Sequence, residues 1–111
     1  MSEALSESKF ETLADDTLSR MVEALADLED DDLDVDLESG VLTLRFHDGS
    51  RFIVNSHRAA RQIWMAAGST AWHFDWDGRA WVAQKSGDEL WATVTRWTSE
   101  KLGRPVDLPK A

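Results

Sequence analysis

Between positions 33 and 84 the chain alternates apolar and polar residues in short runs separated by turn pairs, the pattern of an antiparallel meander. The runs predict strands near 33–38, 41–47, 50–55, 61–66, 71–76 and 79–84. Ser39-Gly40, Asp48-Gly49 and Asp77-Gly78 are the hairpin signals, each a pair tolerant of positive φ. On both flanks the period changes. Upstream, Phe10, Leu13, Leu18, Met21, Leu25 and Leu28 recur at helical spacing, and downstream Leu90, Trp91, Val94, Trp97 and Leu102 do the same. A capping box is expected at each helix start, Ser8 with Glu11 and Ser86 with Glu89, and Gly103 followed by Pro105 supplies a stop. Helix, strands and helix together read as an α+β fold: two helices packed on one face of an antiparallel sheet of about six strands, the other face open to solvent.

A chain of 111 residues, 42% of them hydrophobic, is one domain's worth and can bury roughly 65% of its unfolded surface. It has no cysteine, which excludes disulfides, thiolate zinc sites, a cysteine nucleophile and cluster ligation by its own sulfurs. No apolar run approaches the roughly 18 residues of a membrane span, and the start resembles neither a signal nor a transit peptide, so a cytoplasmic protein is expected.

Charge is unevenly placed. Residues 1–38 hold 14 of the 21 acids against only Lys9 and Arg20, whereas the remaining 73 residues hold ten bases against seven acids. Such an acidic edge attracts cations or a basic partner and repels nucleic acid phosphate. Its centre is the stretch 28–40, where Leu33, Val35 and Leu37 alternate with Asp32, Asp34, Asp36 and Glu38. Carboxylates two apart on one strand face sit about 6.5–7 Å from each other, and in water each such pair repels by roughly 0.6 kcal/mol before screening. On the first helix Asp16, Glu23 and Asp27 fall close to one line, because seven and eleven residues are near whole numbers of turns. Two readings stand side by side: an edge strand that uses charge against sheet-to-sheet aggregation, and a surface for a cation or a basic protein. Carboxylate donors without thiolate suit calcium, magnesium, manganese or iron. An EF-hand fails, because Val35 stands where its loop requires glycine; what remains is an open surface with weak, partly hydrated sites.

In Arg61-Gln62-Ile63-Trp64-Met65 the apolar pair Ile63 and Met65 claims the helix-covered face, so Gln62 and Trp64 point to the open one. Trp64 is therefore either an exposed interface anchor or a ring shielded by cross-strand neighbours. His73 alternates with Phe74 and falls on the same face. Trp72, Phe74, Trp76 and Trp81 are expected in or beside the core, with Trp91 and Trp97 facing the sheet from the second helix. The three histidines, His47, His57 and His73, are too scattered for a structured zinc site. Neither a nucleophile elbow nor a phosphate loop is present, and carboxylates on an exposed ridge lack the desolvation that tunes an acid–base pair.

The order and spacing of these pieces resemble the frataxin family, and more closely its bacterial CyaY branch. The resemblance runs over roughly residues 8–103: an acidic first helix leading into Asp34-Val35-Asp36-Leu37, Gly40-Val41-Leu42-Thr43, Phe46 with Gly49-Ser50, Ile53-Val54-Asn55, Gln62-Ile63-Trp64, His73-Phe74-Asp75, Gly78 with Trp81-Val82, and Ser86-Gly87 with Leu90-Trp91. It implies the frataxin α-β sandwich and a non-enzymatic, iron-binding accessory protein of iron-sulfur cluster assembly, monomeric without iron. By the same resemblance the iron ridge is Asp16, Glu23, Asp27, Glu29, Asp30, Asp31, Asp32, Asp34 and Asp36, which binds ferrous or ferric iron weakly. The ridge also docks on a basic patch of the cysteine desulfurase. Asn55, Gln62 and Trp64 match the family's partner-facing positions, with His73 beside them, for the desulfurase and possibly the cluster scaffold protein. His47 and Arg20 depart from the family's acidic pattern. Two other readings of the acids stay open: a carboxylate-based iron oxidase, and an acidic module that binds basic proteins by charge alone.

Overall fold

A computed structural model describes residues 5–108; Glu3 and the chain's start lie outside them. The elements run α1 (Glu7–Ala26), β1 (Leu33–Glu38), β2 (Val41–Phe46), β3 (Arg51–His57), a 3-10 turn (Arg58–Ala60), β4 (Gln62–Ala67), β5 (Thr70–Trp76), β6 (Trp81–Ala83) and α2 (Leu90–Leu102). The six strands form one antiparallel sheet in sequence order. Both helices cover one face, as the periodicity requires.

The burial of alternate residues explains this arrangement. Leu42, Leu44, Phe46, Phe52, Val54, Ile63, Met65, Trp72, Phe74 and Trp81 line the covered face and are buried, and Phe10, Ala14, Leu18, Met21 and Leu25 of α1 meet them. From α2, Leu90, Trp91 and Val94 complete the core, and Trp97 sets its ring edge against Trp72 at 5.0 Å. Trp81 joins the layers: its ring meets Phe10 edge-on at 5.9 Å and its Nε1–H donates to the Thr17 hydroxyl on α1. Burying a polar ring edge requires such a partner.

The helix starts differ from the capping boxes expected. Ser6, not Ser8, caps α1, its hydroxyl accepting from the Lys9 amide. That start places Leu5 and Phe10 where a hydrophobic staple needs them and sets Glu7 and Glu11, one turn apart, against Arg58. At α2 the cap is Glu89 itself, whose carboxylate accepts from the amides of Trp91 and Ala92. Ser86 is held instead in the turn after β6, where its amide and that of Gly87 both donate to the Ala83 carbonyl.

Turn chemistry sets the register. Ser39 and Gly40 both have positive φ, the type I′ turn that matches strand twist. Gly40 is required twice over, since a Cβ there would sit 2.7 Å from the Ser56 hydroxyl. The β4–β5 turn, Gly68-Ser69, has positive φ at glycine alone, a II′ turn that the expected hairpin signals did not include. β3 runs two residues beyond the expected 55, through His57.

Candidate functional site: an acidic ridge and a ringed sheet face

The open face reads, strand by strand, from acid to base to aromatic. Asp34, Asp36 and Glu38 of β1 are exposed; beside them come Thr43 and Arg45 of β2, then Arg51, Ile53 and Asn55 of β3, then Gln62 and Trp64, then His73 and Asp75. α1 packs against β1 and ends just before it, so Glu23 and Asp27 of the helix and Glu29 to Asp32 of the connection lead into the strand carboxylates. Glu23, Asp27 and the acids from Glu29 to Asp36 thus follow α1's end into the β1 edge, whereas Asp16, expected in the same ridge, lies with Arg20 beside Trp76, Arg79 and Trp91, toward β6 and α2.

The expected ridge acids differ in what holds them. Asp16 pairs with Arg20 at 3.0 Å along the helix. Glu29 accepts from the Val35 amide, fastening the connection to β1. Asp30 accepts from the Asp32 amide and pairs with Arg104 beyond α2 at 3.2 Å; together these bonds, the amide first, hold its carboxyl below the usual range. Asp32 lies 3.5 Å from His47 Nδ1, and Asp34 3.6 Å from Arg45. Glu23, Asp27, Asp31 and Asp36, by contrast, are exposed carboxylates whose side chains make no hydrogen bond or ion pair among the described residues. The counter-ions Arg45, His47 and Arg104 were not foreseen; they come from other elements, and only the register and the return of the chain after α2 bring them to the ridge.

No three His, Asp or Glu side chains converge on one point among the described residues. The donors are hard oxygens, chemically suited to iron, and their spacing suits shared, hydrated contacts rather than a cage.

Farther across the same open face Trp64 is half-buried, and its two ring faces are covered. The His57 imidazole stacks on it at 3.9 Å and the His73 imidazole at 4.2 Å, each within 15° of parallel. Trp64 and His73 face each other across β4 and β5 as a non-hydrogen-bonded pair, the closer of the two pair types, which lets the rings touch. The indole Nε1–H donates to the Gln62 side-chain oxygen at 2.8 Å, and the Gln62 amide nitrogen donates to Asp75 at 3.1 Å. His57 Nδ1 in turn accepts from the Ala60 amide and caps the 3-10 turn. The two readings of Trp64 merge: it lies on the open face, and it is shielded there. Asn55 stands directly across from Trp64 on β3. His57, which no local pattern singled out, is the third ring of the set.

Comparison with known proteins places the chain among similar ones. A family model described as the frataxin-like domain matches residues 3–104. The iron-sulfur cluster assembly protein CyaY of Azotobacter vinelandii is 42% identical over 111 residues, covering 96% of this chain and 98% of that protein. The protein of the same name from Cupriavidus pinatubonensis is 41% identical, covering 94% and 96%. Among solved structures, the frataxin of Psychromonas ingrahamii superimposes with a TM-score of 0.87 at 25% identity, over 96% of this chain and all of that one. A trimeric frataxin of Saccharomyces cerevisiae, complexed with ferrous iron, gives a TM-score of 0.73 at 27% identity over 94% of this chain and 92% of that one.

Proposed function

The chain belongs to the frataxin family, and from that premise we propose that it is an iron-binding accessory protein of iron-sulfur cluster assembly in the cytoplasm, with no catalytic step of its own. Iron is its cargo, held weakly on the acidic ridge by Asp16, Glu23, Asp27, Glu29, Asp30, Asp31, Asp32, Asp34 and Asp36. The same ridge docks on a basic surface of the cysteine desulfurase. Asn55, Gln62, Trp64 and His73 form a second contact area, for the desulfurase or the scaffold protein.

The observation that carries this reading is the set of exposed carboxylates at Glu23, Asp27, Asp31 and Asp36, which have no side-chain partner among the described residues. Like charges held close in the free protein raise its energy, and a bound cation or a basic protein surface relieves that repulsion. One ridge serving two ligands makes their binding linked: iron changes the affinity for the desulfurase and the desulfurase changes the affinity for iron by the same factor. The test is desulfurase affinity measured anaerobically with and without saturating ferrous iron. A change of fivefold or more is expected; identical affinities contradict the shared ridge.

The absence of a converging triad among the described residues favours one second reading, an acidic module that recognises basic proteins by charge without a specific metal. Exchanging Asp and Glu along the ridge separates the two. Such a module keeps its protein affinity, and iron binding, where it occurs, shifts with carboxylate reach.

A further inference from the structure

We infer that the free half of the β5 edge, Thr70–His73, takes an extended acidic peptide of a partner protein as a seventh strand. β6 pairs only with Phe74–Trp76, so β5 continues for four residues past the end of its neighbour. The Gly68-Ser69 turn makes Ala67 and Thr70 a hydrogen-bonded pair, and alternation then points the N–H and C=O of Thr70, Trp72 and Phe74 at β4. Those of Ala71 and His73 point outward; the Phe74–Ala83 pairing turns the His73 carbonyl toward the Gln84 amide, and no described backbone group bonds to the Ala71 groups or the His73 amide. Free ladder groups in this spacing match an extended backbone rather than a helix.

The neighbouring segment is held away from this edge. The Ala83 carbonyl is taken by the amides of Ser86 and Gly87, the Ala83 amide donates to the Asp88 carbonyl, and Trp72 Nε1–H fixes the Asp88 carboxylate. What remains is a groove of about 460 Å³ between β5 and residues 84–86, with exposed Ala71 presenting a small side chain to it. Charge selects the occupant. Lys85 lines the groove and has no carboxylate partner among the described residues, while the one acid there, Asp75, already accepts from Gln62. An incoming strand with an acid opposite Lys85 completes the pair, and its next residue on the open face reaches His73 and the Trp64 stack. The proposal does not require the ridge to bind iron.

Sheet edges left open are normally blunted by charge or proline. The outward face of β1 carries Asp34, Asp36 and Glu38, whereas Thr70–His73 holds no formal charge apart from a protonatable imidazole.

The test uses the full-length, isotope-labelled protein and a capped seven-residue peptide of alternating valine and threonine with a central glutamate, beside a twin carrying lysine instead. The glutamate peptide is expected to shift the amides of 70–73 and 84–86 and to slow hydrogen exchange at Ala71 and His73. Ala71→Pro removes an outward N–H without touching the β4 ladder and should weaken binding about tenfold. Lys85→Glu should reverse the preference between the two peptides. Shifts without slowed exchange at Ala71 and His73, or equal binding of both peptides by the parent protein, overturn the inference. Slowed exchange that rises with protein concentration alone would also overturn it, making a second copy of this chain the occupant.

Discussion

The ridge on β1 and the ring stack on β3–β5 lie on one sheet, yet they handle polar groups in opposite ways. At the stack the polar groups are joined internally, the indole donating to Gln62, Gln62 to Asp75 and the Ala60 amide to His57 Nδ1, with both faces of Trp64 covered by imidazoles. Along the ridge some carboxylates have counter-ions and others have none among the described residues, so like charges there repel one another. Satisfied groups make a rigid platform whose exposed parts are ring edges. Unsatisfied ones make a surface that is weak by itself and responsive to what binds.

This contrast predicts mutations of opposite sign. The largest effect belongs to the stack: Trp64→Ala removes two ring contacts and a hydrogen bond and should cost about 2 kcal/mol in urea unfolding. A loss below about 0.5 kcal/mol would mean that the rings lie loosely on the surface. Gln62→Ala, which strands both the indole N–H and the Asp75 carboxylate, should cost about 1 kcal/mol by the same measurement. At the ridge the sign reverses. Asp36→Asn removes one partner in the strand-face repulsion and should stabilise the protein by about 0.5 kcal/mol at low salt, a gain that shrinks as salt is raised. If that substitution destabilises instead, the ridge acids are holding the fold and the comparison fails.

The smallest effect is on pH dependence. Asp77 accepts from the amides of Ala80 and Arg79, and Asp48 is bonded by Lys101 and Ser50, so both carboxyls sit below the ordinary value of 3.8. A group depressed in the folded state contributes stability above its unfolded value and loses it as pH falls through the folded one. Asp48→Asn should therefore flatten the acid side of the stability profile below about pH 4. An unflattened profile would mean that the Lys101 and Ser50 bonds do not hold the Asp48 carboxylate in solution.

The sheet, its open face and the ridge were legible in the sequence because each rests on a local period: two for the strands, 3.6 for the helices, and turn pairs whose φ preferences mark the corners. The resemblance to the frataxin family rested on the same pieces in order, and the family match and fold agree with it. What escaped were features decided at a distance. Ser6 wins over Ser8 as the α1 cap because the longer helix gains Leu5 for the core and carries Glu7 to Arg58. The two serines are equivalent in their own sequence window. The ring stack escaped because it needs β3 to extend to His57, and polar Ser56-His57 carries no strand signal without the β4 partners Gln62 and Ile63. The Gly68-Ser69 turn was hidden by flanking alanines, which favour no particular structure in that context.

The most direct test is an anaerobic NMR titration of the labelled protein with ferrous iron, with magnesium as the hard-cation control. The account predicts broadening that begins at Glu23, Asp27, Asp31 and Asp36, spreads to the partnered acids at higher iron, spares the Trp64 stack, and is much weaker with magnesium. The same response to both ions, or broadening that starts at His57 and His73, would contradict it.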